Sequence, residues 1–321
     1  METQSFVPPP GVIAPLAAAF FRDHLGESLA VTVAFMWAWG SLLFTIAGRR
    51  VSSTAVNFFR LWMAVFLLAI TLLVSTGRPW PLNLGPAAHW WLGASGVIGL
   101  ALGDSFLFHG YTLIGPRRTL LTYSTAPLFT AVTAYLLLGE KLGSLAILGM
   151  ILIVGGVWGA TLGQDEGGGP FRALPPSVRR RGTFDGLMAG ICQGLGATCA
   201  KMGMATVAPL PATLVRMTWA TIAITLVLVG QRRATGLLGR FRDRRALVPA
   251  LGAVILGPFL GVWGSLAAFK HADTGVAMAL ISTVPILVLL PSWVVYRDKP
   301  SPTSLIGVVV SVGGGALLVL R

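Results

Sequence analysis

An all-α polytopic membrane protein, with ten transmembrane helices in two inverted five-helix repeats, is the fold that three features of this sequence predict. Of its 321 residues 55% are apolar and only 11% are charged, too little polar surface to coat a soluble globule of this size. Apolar runs of about 18 to 23 residues recur along almost the whole chain, and at 1.5 Å per residue such a run matches the roughly 30 Å hydrocarbon core of a bilayer. The residues that punctuate these runs also recur in register between the two halves.

Residues 1–28 come first, with Pro8, Pro9 and Pro10 followed by an apolar stretch at 11–21 that is too short to span. The acidic Glu2 and the lack of Lys or Arg before that stretch argue against a signal peptide, which leaves a flexible or interfacial segment. Five spans follow at 29–47, 54–75, 91–113, 118–138 and 143–162, forming a first repeat over 29–162. Residues 163–182 hold Gly167, Gly168, Gly169, Pro170, Pro175 and Pro176 and then Arg179, Arg180 and Arg181, the composition of a solvated linker. Five more spans at 183–204, 211–230, 247–269, 275–296 and 302–320 make the second repeat, 183–321. Most connections are short, so successive helices are expected to pack as antiparallel neighbours.

The internal repeat rests on individual residues. Ser124, Thr125, Ala126 and Pro127 correspond to Ser282, Thr283, Val284 and Pro285 at an offset of 158. The same offset superposes Gly139-Glu140-Lys141 on Arg297-Asp298-Lys299, Gly149 on Gly307, Gly155-Gly156 on Gly313-Gly314, Gly99 on Gly257 and Gly103 on Gly261. In the first two helices of each half the offset is 156, which places Gly40 on Gly196 and Arg60 on Arg216. An odd number of spans per half forces the two halves to cross the membrane in opposite senses.

This pattern resembles the two-domain EamA-type members of the drug/metabolite transporter superfamily. The shared features are an Arg early in the second helix of each half, Pro in the fourth, Gly-Glu-Lys closing the fourth helix of the first half, and the glycine pairs of the fifth. Asp298 stands after Arg297 where the family pattern has Gly-Glu, a conservative change at the acid. The resemblance implies a secondary carrier or facilitator of the inner membrane that exports small metabolites, amino acids or drugs, with the bilayer and a small solute as its partners. A non-transporting membrane scaffold or sensor with the same fold is the alternative.

Several side chains could carry chemistry. Asp104 lies mid-span, where an ionised carboxylate is costly unless it meets water, a cation or a proton, and it is therefore the candidate proton-coupling group. The bland alternative is a packing role, and its repeat mate is the apolar Val262. Arg60 and Arg216 read as charge anchors shallow enough to snorkel to the headgroups, and Glu140 with Lys141 and Asp298 with Lys299, at helix exits, read as interfacial anchors or gate-adjacent salt bridges. Two arginines in equivalent places could instead attract anionic groups to a central cavity. Pro127 and Pro285 are expected to kink their helices and act as hinges. Around them Tyr123, Ser124, Thr125, Ser282 and Thr283, with Trp37, Trp39 and Gln193, are the candidate lining of a substrate cavity, set against ordinary helix packing.

Other functions find little support. The net charge of +13 comes largely from Arg clusters between apolar runs, which set orientation and do not suggest nucleic acid. Cys192 and Cys199 have no neighbours spaced as metal ligands, so neither a metal nor a cofactor is expected. Gly93-Ala94-Ser95-Gly96 matches the Gly-x-Ser-Gly of rhomboid-like proteases, but the intramembrane His109 falls on the same span rather than a facing one. No phosphate-cradling loop or zinc-protease motif is present, so the chain reads as no enzyme. Connections after odd-numbered spans carry sixteen Lys and Arg against six on the opposite side, which places both termini outside the cytoplasm. The family resemblance implies the reverse orientation.

Overall fold

The computed structural model describes residues 23–48, 50–81, 84–162, 174–232, 237, 241–287 and 302–319. The N-terminal residues 1–22, the linker core 163–173 and the stretch 288–301 that contains Asp298 lie outside the described residues. Helix is the only regular structure among the described residues. In chain order the helices are α1 (Leu25–Gly48), α2 (Ser53–Thr76), α3 (Pro86–Ser95), α4 (Gly103–Tyr123), α5 (Ala126–Leu138), α6 (Ser144–Leu162) and α7 (Pro176–Gly203). They continue with α8 (Pro209–Gly230), α9 (Arg244–Val254), α10 (Leu260–His271), α11 (Thr274–Ile281), α12 (Val284–Leu287) and α13 (Pro302–Val319).

Six helical segments are long and apolar enough to cross a bilayer: Leu25–Gly48, Thr54–Thr76, Pro86–Gly110, Arg118–Leu138, Pro209–Gly230 and Arg244–His271. Shorter apolar helices cover Ser144–Gly159, Thr274–Leu287 and Leu305–Val319. The outer surface carries large apolar side chains such as Phe66, Val74, Trp90 and Val309, as expected where the neighbouring solvent is lipid. Gly110 lies against Thr119, nine residues on, whereas a straight helix would separate them by about 13 Å. The chain therefore turns back within α4, and its second part belongs with α5.

Two departures from regular α-helix were not legible in the sequence. Residues Gly96–Leu102, between α3 and α4, and Ile255–Phe259, between α9 and α10, form π-helical turns. They fall at equivalent positions of the repeat. Pro258 inside the second lacks the N–H that a regular ladder would use, and glycines 96 and 99 supply a slender backbone in the first.

The prolines act more sharply than kinks. Pro127 stands in the first turn of α5, and the chain breaks before it at Ser124 and Thr125. Pro285 stands likewise in α12, after a break at Ser282 and Thr283. Neither proline can donate to the carbonyl four residues back, and nearby hydroxyls satisfy carbonyls around each break. Ser124 Oγ donates to Leu121 O at 2.7 Å, Thr125 Oγ1 to Thr122 O at 2.7 Å, and Thr283 Oγ1 to Leu280 O at 2.7 Å.

Packing between the halves is reciprocal. Helix α1 lies against α9, α10 and α11, and its counterpart α7 lies against α3, α4 and α5. Helix α2 packs on α8 and on the second π-turn, while α8 packs on the first π-turn. The last helices of the two halves, α6 and α13, meet through glycine. A Cβ added to Gly149 would fall 2.9 Å from Gly314 O, and one added to Gly314 would fall 2.7 Å from Gly149 O. Such backbone proximity is how helices associate in lipid, where burial of apolar surface gives no drive.

Candidate functional site: a charge cluster at the crossing of the halves

The first π-turn delivers Asp104 into the interior, in the first turn of α4. There its carboxylate forms an ion pair with Nη2 of Arg60 from α2. Arg60 Nε donates to Asn57 Oδ1 at 2.7 Å, and the guanidinium lies over the rings of Phe44 and Phe108, with centroids at 5.8 Å and 5.0 Å. The side chains of Arg60 and Asp104 are only 11% and 15% exposed, so the pair is sheltered.

Arg216 is buried more deeply, at 2% exposure, on α8. Its carbonyl oxygen would lie 2.1 Å from a Cβ on Gly96, and its Nη2 would lie 2.9 Å from a Cβ on Gly99. Both glycines belong to the first π-turn, which lets α8 approach and directs the guanidinium into the crossing with α7. Gln193 of α7 reaches the same point, its Oε1 3.4 Å from that Cβ position on Gly99. Asp104, Tyr123 and Cys199 lie within electrostatic range of Arg216. Ser95 Oγ donates to Gly196 O at 2.5 Å and fixes the crossing.

Neither arginine side chain is exposed as a free headgroup anchor would be. Arg60 is held by an acid and Arg216 is enclosed at the helix crossing. Their distance along the helix from the span end suggested snorkelling, and the π-turns that admit α2 and α8 so closely gave no signal. Of the proposed cavity residues, Tyr123 and Gln193 join this cluster. Trp37 packs its indole on Gly261 after the second π-turn, whereas Trp39 stands on another face of α1 against the exposed Phe35. Ser124, Thr125 and Thr283 spend their hydroxyls on their own helix breaks, but Ser282 Oγ is buried without a hydrogen-bond partner among the described residues.

Helix α7 carries a polar tie toward each end. Near its N-terminus Asp185, fully buried, lies with Oδ2 2.7 Å from Nδ1 of His109 on α4 and with Oδ1 3.5 Å from Nε of Arg181. Near its C-terminus Lys201 Nζ lies 2.8 Å from Glu140 Oε1 and donates to Ala272 O at 2.8 Å. Glu140 also accepts from Thr274 N and Thr274 Oγ1, both at 2.9 Å, at the start of α11. Glu140, read with Lys141 as an interfacial anchor or a gate-adjacent salt bridge, forms its ion pair with Lys201 on α7. Asp185 and Lys201 are separated by about 24 Å along the helix, with Gln193 and the charge cluster between them. Asp185 was missed because it opens the span, where an acid reads as solvated.

The tie around Glu140 invites a direct test. Glu140→Gln keeps the shape and removes the charge, and should cost about 1 to 3 kcal/mol. Alkylation of the buried Cys199 by maleimide is expected to accelerate several-fold as the α7 end loosens. An unchanged labelling rate would show that Glu140 does not hold that end shut.

The EamA-like transporter family model matches residues 24–162 and 180–320. The chain belongs to the EamA-like transporter family. Its two matched blocks give it the two-domain arrangement of the drug/metabolite transporter superfamily. The uncharacterized protein PA1977 of Pseudomonas aeruginosa is 27% identical over 294 residues, covering 90% of this chain and 93% of that protein. A protein of known crystal structure superposes with a TM-score of 0.69 at 18% identity, over 91% of this chain and 95% of its own, which shows a shared fold.

Proposed function

We propose that this EamA-family protein is a secondary carrier of the inner membrane that moves small metabolites, amino acids or drugs outward by alternating access. In this reading ten spans form two inverted repeats, 29–162 and 183–321, joined by the linker 163–182 and preceded by the segment 1–28. The two family-matched blocks and the reciprocal packing of α1 and α7 support it. The observation that carries it is the enclosed cluster of Arg60, Asp104 and Arg216, midway along α7 between two polar ties. Alternating access requires a central site and a closure on either side, with one closed at a time.

Asp104 is the coupling group in this scheme. A proton on its carboxylate removes the charge that holds Arg60, so proton arrival and release of the α2 to α4 contact are one event. The hinges are the breaks before Pro127 and Pro285, where few ladder hydrogen bonds must be broken for the segments to tilt. Chemistry on the solute is not part of the scheme.

Purified protein in liposomes tests this reading. Efflux of a solute from a broad metabolite panel should respond to an imposed pH step, and Asp104→Asn should remove the pH response. Absence of flux across the panel would replace the carrier by a scaffold or sensor of the same fold.

A further inference from the structure

Two arginines occupy equivalent positions of the repeat, but only one acid accompanies them. Arg60 is neutralised by Asp104, whereas the position equivalent to Asp104 in the second half is Val262. Among the described residues no carboxylate lies within ion-pair distance of Arg216, and its Nε and Nη2 are buried without a hydrogen-bond partner. Burying an uncompensated guanidinium in a membrane protein costs several kcal/mol, and fixed groups normally share that cost. Asp104 acts on Arg216 at range, yet it is already committed to Arg60, so the three side chains together carry one excess positive charge.

We infer that Arg216 is the binding residue for an oxyanion, a carboxylate or similar group on the solute, which supplies the counter-charge missing at Val262. Resting on the carrier reading, this narrows its substrate class to solutes with an anionic end. A guanidinium offers paired N–H donors in a plane that match the two oxygens of a carboxylate. The Gln193 carboxamide converges on the same face of Gly99, where it can bond a second polar atom of the ligand. Side chains at Gly99 or Gly196 would obstruct the approach, since a Cβ on Gly196 would come 2.7 Å from Gly99 Cα.

The test is thermal unfolding of the full chain in dodecyl maltoside. Acetate, benzoate, phosphate and phenylalanine are titrated against the uncharged acetamide, benzamide and glycerol, with phenylalaninamide as the carboxyl-blocked control, at constant ionic strength. At least one anion should raise the melting temperature where its control does not, and Arg216→Gln should weaken that effect at least about tenfold. Arg216→Lys, which keeps the charge, should retain part of it and serves if the Gln variant does not fold. No anion-specific shift in the wild type, or an equal shift in Arg216→Gln, would overturn the inference. So would stabilisation by phosphatidylglycerol alone, which would assign Arg216 to a lipid phosphate. The assay needs no flux, so anion binding without transport would remove the carrier reading and leave the anion site. Transport of uncharged solutes without anion binding would do the opposite.

Discussion

Replacing Asp104 by leucine is expected to abolish transport and to destabilise the protein by about 3 to 5 kcal/mol, the usual cost of stripping one partner from a buried ion pair. The substitution leaves Arg60, 11% exposed, with Asn57 and two aromatic rings but no counter-charge among the described residues. Those rings attract a cation by about 0.5 to 2 kcal/mol each, too little to replace a carboxylate. The double variant Asp104→Leu with Arg60→Met removes both charges, and its stability should return to within about 1 kcal/mol of the wild type. Transport should not return, because the proton acceptor is gone. Thermal unfolding in detergent, with flux in liposomes, separates these effects. A double variant as unstable as the single one would mean that Asp104 supports the fold through contacts other than Arg60. A double variant that still transports with a pH response would exclude Asp104 as the coupling group.

Periodicity and register exposed the helices and the repeat, because span length and turn residues are local properties. The glycine pairs of α6 and α13 were visible as a pattern, yet only the packing tells their members apart. Gly156 faces Gly307 O and Ser311, while Gly155 has open space where a side chain would stand. The π-turns escaped because a wider turn leaves no periodic mark in so uniformly apolar a run. With them went the enclosure of Arg60 and Arg216, which depends on how closely α2 and α8 approach the opposite half. Hydroxyls near the prolines were read as cavity lining for their polarity, but a helix break creates its own demand for donors. Ser124, Thr125 and Thr283 meet that demand. Pairings across the halves, such as Asp185 with His109 and Glu140 with Lys201, depend on tertiary contact and could not be inferred from spacing.

Gly96 is where one added methyl should have the largest effect on assembly. Its Cβ position lies 2.1 Å from Arg216 O, 3.1 Å from the carbonyl carbon and 3.3 Å from Ala220 N, all backbone atoms that cannot swing aside. Restoring ordinary contact requires the first π-turn and α8 to part by roughly 1 Å or more. That movement disturbs the Ser95 to Gly196 bond and withdraws Arg216 from the crossing. Gly96→Ala is therefore expected to cost about 3 kcal/mol or more, the upper range for overpacking, and to lower transport even where folded protein is recovered. Gly155→Ala adds the same methyl at a position with nothing within 4 Å, and should change stability by less than about 0.5 kcal/mol. Both variants gain helix propensity from the loss of glycine, so propensity alone would stabilise them equally. Opposite outcomes in one unfolding experiment would isolate the interhelical contact as the cause. Equal stability of the two would mean that α8 does not approach the first π-turn so closely, and the enclosed placement of Arg216 would fall with it.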